Sequence, residues 1–286
     1  MSSNLFVKKC KYFLRFIPDK TYIKIYYRLK MHKKINLKNP KSYNEKLNWI
    51  KLYDHNPLYT KIVDKYEVKP YVSNVIGDNY IIPTLGVWDN VDDIDIEKLP
   101  SKFVLKCTHD SEGIVICKDK NSVDWNKAKK KLKNALKYNF YYIGREWPYK
   151  NVKPRIICEE YLEDIEKKEL WDYKFFCFNG SAKLMFIATD RQEGHTKFDY
   201  FDMDFNRLDL KQHYEHSKID FKRPKCFDEM RKLAEQLSKG FKQIRVDFYE
   251  VNGKVYFGEL TLFHFSGFTP FEPEKYDLLL GEYINL

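Results

Sequence analysis

Two short runs of alternating character, Arg245-Val246-Asp247-Phe248 and Tyr256-Phe257-Gly258-Glu259-Leu260-Thr261, flank an Asn252-Gly253 pair. Asn-Gly between such runs is the strongest short-range signal for a tight hairpin turn. A hairpin there lets Asp247 and Glu259 lie on neighbouring strands with their carboxylates converging on one face. Two convergent carboxylates beside an arginine suit a hard divalent ion that also holds phosphates. Mg²⁺ takes one or two carboxylates and fills its octahedron with substrate oxygens and water. An ordinary amphipathic hairpin with its acids in solvent has the same local wording, so the choice rests on the rest of the chain.

With 286 residues, 43% hydrophobic and 17% aromatic, the chain has the material for a packed globule of one large domain or two lobes. No stretch approaches the roughly 18 uninterrupted apolar residues of a membrane span, and lysines interrupt every apolar run near the start, which argues against a signal peptide. The six cysteines (Cys10, Cys107, Cys117, Cys158, Cys177, Cys226) are scattered without zinc spacing, so a reducing cytoplasm fits best. His213 and His216, three apart, read as surface histidines.

The net charge of +10 is uneven: residues 1–34 carry ten Lys/Arg against one acid, Asp19, which leaves the body nearly neutral. Residues 4–34 read as two basic helical stretches divided near Pro18. Such a segment suits an anionic membrane surface, and equally suits packing its apolar stripe on the body with lysines in water. Nucleic acid is not expected as a partner, because no recognised module surrounds the basic stretch.

Four regions are expected: a basic amphipathic helical segment at 1–38, a helical and short-strand region at 39–100, and two lobes at 101–162 and 163–286. Ser42 followed by Glu45 is a capping-box pattern for a helix start. Helical periodicity returns from Leu58 to Val75, and Tyr80–Pro83 and Leu85–Trp88 read as short strands. Phe103–Lys106 and Ile114–Cys117 are strands around the polar loop Thr108–Gly113, followed by a lysine-rich helix at 124–137. Strands at 155–159, 172–178, 182–189 and 197–202 and a helix at 227–241 precede the hairpin. Strands interleaved with helices and antiparallel hairpins predict an α+β fold rather than a doubly wound sheet.

Lys106 closes an apolar strand just before a polar turn. There a lysine acts as a point charge toward phosphate oxygens, while the turn's N–H groups supply an anion-binding concavity. Lys174 repeats the alternation within Asp172-Tyr173-Lys174-Phe175. Glu159-Glu160-Tyr161-Leu162 leaves an apolar strand with exposed backbone and acids, a shape suited to an adenine edge and a ribose.

That order of features, with Asn39-Pro40-Lys41-Ser42-Tyr43-Asn44-Glu45-Lys46-Leu47, Gly144-Arg145-Glu146-Trp147-Pro148-Tyr149-Lys150, Phe201-Asp202-Met203-Asp204, Arg245-Val246-Asp247-Phe248-Tyr249 and Gly258-Glu259-Leu260-Thr261, resembles the TupA-like ATP-grasp family. The resemblance covers nearly the whole chain from Asn39. It implies two α+β lobes clamping ATP after a helical N-terminal region, and an ATP- and Mg²⁺-dependent ligase that joins a carboxylate to an amine through an acylphosphate. It also implies teichuronopeptide or capsular polysaccharide biosynthesis, with an amino acid or peptide joined to an anionic, uronic-acid-containing glycan or its precursor. By the same resemblance Arg245 and Lys174 are catalytic, and Asp247, Glu259 and Thr261 hold the metal. Lys106, His109, Ser111, Gly113, Glu159, Glu160, Tyr161, Leu162, Asp172 and Lys174 form the nucleotide set, with Glu160 and Leu162 meeting adenine through their backbone. Asp247→Asn or Glu259→Gln is then expected to abolish ATP turnover with the fold intact.

Two features depart from the family's wording. Thr261 stands where many ATP-grasp enzymes have asparagine. The phosphate turn, glycine-rich in the family as T-H-G-S-G-G, reads Thr108-His109-Asp110-Ser111-Glu112-Gly113. Either the loop binds ATP less tightly, with the two acids turned to solvent or toward a metal, or the nucleotide site has decayed. Arg145, Lys150 and Arg155 are candidate contacts for an anionic acceptor. The alternatives are a glycosyltransferase built on Asp202-Met203-Asp204, and a non-catalytic membrane or assembly partner on a decayed scaffold.

Overall fold

The computed structural model describes residues 12–165, 169–190 and 194–286. Residues 1–11, with Cys10 and the first part of the expected basic segment, lie outside the described residues. Among the described residues the helices, in chain order, are α1 (Asp19–Met31), α2 (Tyr43–Tyr53), α3 (Leu58–Val63), α4 (Val68–Ile76), α5 (Trp125–Leu136), α6 (Tyr141–Gly144), α7 (Phe227–Leu237) and α8 (Lys275–Glu282). The strands are β1 (Thr84–Trp88), β2 (Phe103–Cys107), β3 (Ile114–Cys117), β4 (Ile156–Glu160), β5 (Asp172–Phe178), β6 (Ser181–Thr189), β7 (Lys197–Asp202), β8 (Ile244–Val251) and β9 (Lys254–Thr261).

The chain forms two compact units. Of the described residues, one comprises those up to Ile17, Asn56–Tyr71 and Ile81–Leu162; the other comprises Pro18–His55, Val72–Tyr80 and those from Glu163 onward. Residues 39–100 are therefore shared between the units rather than forming a region of their own. Each unit holds one antiparallel sheet, which gives the α+β class expected from the sequence.

In the first unit the sheet order is β1-β4-β2-β3. Strand alternation sends Phe103, Leu105, Cys107, Ile156 and Cys158 to one face, where they pack with Leu132 and Ala135 of α5. Asp124 caps α5 by accepting from the Lys127 N–H at 3.0 Å. The other face is left to Val104, Lys106, Ile157 and Glu159.

In the second unit the order is β7-β6-β5-β8-β9. Phe175, Val246 and Phe248 are fully buried on the face toward α7, with Phe175 and Phe227 rings 5.8 Å apart. The Asn252-Gly253 turn has φ of 52° and 76°, the left-handed pair that a two-residue hairpin turn requires. The capping box on α2 is present, with Ser42 Oγ accepting from Glu45 N at 3.3 Å and Glu45 accepting from Ser42 N at 3.4 Å.

Three local expectations change. The helix expected from Leu58 to Val75 breaks in two, because Asp64 is extended and its Oδ1 accepts from the N–H groups of Tyr66 and Glu67 at 2.7 and 3.0 Å. Tyr80–Pro83 is not a strand: Pro83 has no N–H to donate to a ladder, and only Thr84–Trp88 pairs with β4. The helix expected to reach Phe241 ends at Leu237, before Gly240 at φ +82°.

Candidate functional site

One row of residues runs across all five strands of the second sheet. Tyr200, Phe186, Lys174, Asp247 and Glu259 are successive register partners from β7 to β9. Lys174 Nζ lies 2.5 Å from Asp247 Oδ2 and 3.0 Å from Asp172 Oδ1. Arg245, two residues from Asp247 on β8, holds the same carboxylate twice, Nε to Oδ1 at 2.7 Å and Nη2 to Oδ2 at 2.8 Å. Its Nη2 also donates to Thr261 Oγ1 at 2.9 Å, and Thr261 lies directly opposite Arg245 on β9.

A β-bulge brings Glu259 into this row. Phe257 pairs with Phe248 and Glu259 pairs with Asp247, so Gly258 is the extra residue. Phe257 and Glu259 are two apart and yet face opposite sides, because the bulge reverses the alternation. A side chain at position 258 would meet the Asp247 carbonyl oxygen at 3.1 Å and the Tyr249 ring at 3.2 Å.

Burial divides the set into an interior and a mouth. Asp247 is 1% exposed and Arg245 9%, whereas the Glu259 side chain is 35% exposed. Burial opposes the charge on Arg245, but the Asp247 carboxylate more than offsets this and holds the guanidinium above its ordinary range. The described residues contain no cluster of three or more His, Cys, Asp or Glu placed to hold a metal. The donors here are two carboxylates and a hydroxyl.

The first unit carries a second charged set. Glu159 Oε2 is 2.6 Å from Lys106 Nζ, and its Oε1 is 2.6 Å from Lys69 Nζ. Lys69 also donates to the Ile82 carbonyl and to Thr84 Oγ1, at 2.7 and 2.8 Å. Burial alone would raise the Glu159 carboxyl, but Lys106 and Lys69 bring it below its ordinary value. Lys69 was missed in the sequence because it sits near the start of a helix, where nothing in the local wording separates it from a solvated lysine.

The loop after β2 folds differently from expectation. Asp110 is 3% exposed and turns inward rather than to solvent, while Glu112 is half-buried. Its Oδ1 accepts from the N–H groups of Glu112 and Gly113, the latter at 2.7 Å, while Lys65 Nζ binds its carbonyl at 2.7 Å. The loop thus offers two N–H donors to its own carboxylate. His109 is also buried, and burial lowers its pKa. Ser111 is exposed. Gly113 packs where a Cβ would lie 2.6 Å from Cys107 Sγ.

Glu160, Tyr161 and Leu162 follow Glu159 at the end of β4. The Glu160 N–H donates to the Pro83 carbonyl at 3.1 Å. Lys102 Nζ lies 6.0 Å from the Tyr161 ring centroid.

Two of the three candidate acceptor contacts are occupied. Arg145 is 2% exposed and donates to the Leu14 and Ile17 carbonyls at 2.7 and 3.3 Å. Arg155 pairs with Asp64 and Glu67 at 3.1 and 2.8 Å. Lys150 is exposed. The Asp202-Met203-Asp204 motif is a turn: Asp202 accepts from the N–H groups of Asp204 and Asn206, at 3.0 and 2.8 Å, and from the Asn206 amide at 2.9 Å. Its Oδ1 is committed to the turn's backbone and its Oδ2 to the Asn206 side chain, and neither sheet has the parallel order of a sugar-nucleotide half.

Antiparallel sheets backed by helices, each presenting a lysine–carboxylate set on one sheet face, define the class. A family model, TupA-like ATPgrasp, matches residues 45–285. The chain belongs to the TupA-like ATP-grasp family. No curated protein matches. Among solved structures the chain is similar to a D-alanine–D-alanine ligase from Bacillus anthracis complexed with ATP, at 14% identity, 78% of this chain, 57% of that one and a TM-score of 0.41. It is likewise similar to the D-alanine–D-alanine ligase from Helicobacter pylori, at 15% identity, 86% and 70% coverage and a TM-score of 0.43. The N5-carboxyaminoimidazole synthetase from Staphylococcus aureus complexed with ADP gives 14% identity, 79% and 52% coverage and a TM-score of 0.44. The chain spans little more than half the length of the first and third of these proteins.

Proposed function

We propose that the protein is an ATP- and Mg²⁺-dependent ligase that joins a carboxylate to an amine through an acylphosphate. The observation that carries this reading is the Lys174–Asp247–Glu259 row with Arg245 and Thr261 beside it. The chain's own residues fit Mg²⁺. Glu259 and Thr261 are partly open, and Asp247 Oδ1 accepts one hydrogen bond, so a lone pair remains for a metal. So few protein donors suit an ion that completes its shell with phosphate oxygens. When bound, the ion supplies charge neutralisation on the phosphates and orients the γ-phosphoryl group.

Lys106 and Lys174 hold phosphate oxygens in this reading, with Lys69 keeping Glu159 and Lys106 in place. Glu160 and Leu162 meet adenine through backbone groups. A substrate carboxylate oxygen attacks the γ-phosphorus and ADP leaves; the amine then attacks the acyl carbon and phosphate leaves. Arg245 neutralises charge on the transferring group. No side chain needs to act as a covalent nucleophile, and the protein's contribution is positioning and electrostatics.

The substrates proposed are a uronic-acid-containing glycan or precursor as carboxylate and an amino acid or peptide as amine. Lys150 is the candidate acceptor contact that remains open. No described helix is long and apolar enough to cross a membrane. The outward face of α1 combines exposed Lys20, Lys24 and Arg28 with Ile25 at 52% and Leu29 at 65% exposure. Apolar side chains interleaved with cations favour an anionic lipid surface over a soluble polyanion, which would cover the charges and leave the aliphatic groups in water.

The test is acylphosphate trapping. Protein, Mg-ATP and uronic-acid oligosaccharides are incubated with hydroxylamine, and hydroxamate formation tied to ADP release is expected. ADP release without hydroxamate for any carboxylate offered contradicts the acyl-transfer reading.

A further inference from the structure

Arg245 makes a set of hydrogen bonds whose polarity can be read without ambiguity. A guanidinium has five N–H groups and no acceptor. Nε–H and one Nη2–H go to Asp247, and the other Nη2–H goes to Thr261. Nη1 lies 2.6 Å from His264 Nδ1. Because Arg245 only donates, His264 Nδ1 accepts, and the imidazole proton sits on Nε2. Nε2 is 2.8 Å from Gln212 Oε1, and the Gln212 amide nitrogen donates to the Thr269 carbonyl at 2.9 Å. Donor and acceptor alternate correctly from Thr269 to Asp247. Four of the five Arg245 N–H groups are used, and one Nη1–H has no partner among the described residues.

The backbone holds His264 in this arrangement. Phe265 and Ser266 follow it at φ +46° and +53°, a left-handed pair that is costly for non-glycine residues and persists only where the surroundings impose it. Lys51 binds the Ser266 carbonyl at 2.8 Å and Asn48 binds the Gly267 carbonyl at 2.7 Å. The imidazole lies against the Phe176 and Phe186 rings, at 4.9 and 5.6 Å. Burial first, then Arg245 and Lys174, push the ring well below its ordinary pKa. Gln212 is fully buried beside it.

We propose that Gln212 and His264 are positioning residues for Arg245, fixing the rotation of its guanidinium so that one Nη1–H alone is offered to the transferring phosphoryl group. This rests on the ligase reading for the role of Arg245, but the hydrogen-bond chain stands without it. A freely rotating guanidinium would satisfy Asp247 in several ways, and the neutral imidazole selects one.

Two measurements test this. In the ligand-free protein, long-range ¹H–¹⁵N correlation of the imidazoles, assigned by loss in His264→Asn, is expected to show His264 with a bare Nδ1 and a protonated Nε2, unchanged from about pH 8 to 5. A protonated Nδ1, or a ring that titrates in that range, overturns the proposal. In ATP consumption assays, His264→Leu is expected to lower kcat at least about tenfold with KM for ATP within about twofold. His264→Asn, whose side-chain oxygen replaces the Nδ1 acceptor, is expected to recover most of that loss. Equal kcat in wild type and His264→Leu, or equal loss in both variants, overturns it. Absence of ATP consumption in the wild type refutes the ligase reading, and the imidazole spectra still judge the positioning chain.

Discussion

Lys174 and Asp247 lie directly opposite each other on the adjacent strands β5 and β8, with Nζ 2.5 Å from Oδ2 and both side chains almost wholly buried. Asp247 is therefore the counter-charge of Lys174 and Arg245 as well as a proposed metal donor. The sequence alone suggests that its removal spares the fold, and the packing says otherwise. Asp247→Asn keeps an acceptor oxygen but leaves two buried cations short of a negative charge. It is expected to cost about 2 kcal/mol or more of stability, read as a lowered urea midpoint. Glu259→Gln, at the open end of the row, is expected to stay within about 0.5 kcal/mol of wild type in the same assay. Equal stability of Asp247→Asn and wild type would show that the charge balance lies elsewhere.

Asp110 occupies the N–H groups of Glu112 and Gly113, which the proposed nucleotide reading would turn toward a phosphate. Asp110→Asn retains the acceptor and removes the negative charge, so ATP-analogue affinity is expected to rise several-fold, about 1 kcal/mol. Calorimetric titration of the two proteins measures it. Weaker binding by the variant would mean that the carboxylate assists the nucleotide.

The Lys69–Glu159–Lys106 set makes the first unit sensitive to acid. The folded carboxyl of Glu159 is held below its ordinary 4.5, so its contribution is fully present above that pH and is lost as pH falls through the folded value. Urea unfolding at a series of pH values below about 5 is expected to show this loss in wild type. The Glu159→Gln protein should lack that component. Parallel pH profiles for the two proteins would contradict the assignment.

The outward face of α1 predicts binding to vesicles. Wild-type protein is expected to sediment with vesicles containing phosphatidylglycerol and to remain in the supernatant with pure phosphatidylcholine. Lys24→Glu combined with Leu29→Ser should lower that binding at least about tenfold, at roughly 1 kcal/mol per lost cation plus the buried side chain. Undiminished binding by the double variant rules the face out.

The regular elements were legible where the local signals agreed. Ser42 and Glu45 announce α2, Asn252-Gly253 announces the hairpin, and strand alternation locates Lys106 and Lys174 on polar faces. The sequence was misleading where a single side chain changes the backbone, as Asp64 does in breaking a helix that periodicity carries from Leu58 to Val75. Glu259 is instructive in another way. Counting by twos from Phe257 puts it on the apolar face, and only the unpaired Gly258 moves it beside Asp247. Gln212, His264 and Lys69 carry no local signal, since each acts through partners distant in the chain: His264 is 52 residues from Gln212 and Lys69 is 90 from Glu159. The inward turn of Asp110 could not be read either, because an acid in a polar loop is ordinarily solvated.

The most direct test of the account is calorimetric titration of the full chain with a non-hydrolysable ATP analogue, with and without Mg²⁺, alongside Glu259→Gln. Binding is expected to strengthen at least about tenfold with Mg²⁺ in wild type and to lose that gain in the variant. Binding that is absent, or identical with and without the ion, would contradict a carboxylate row built to hold a metal–nucleotide complex.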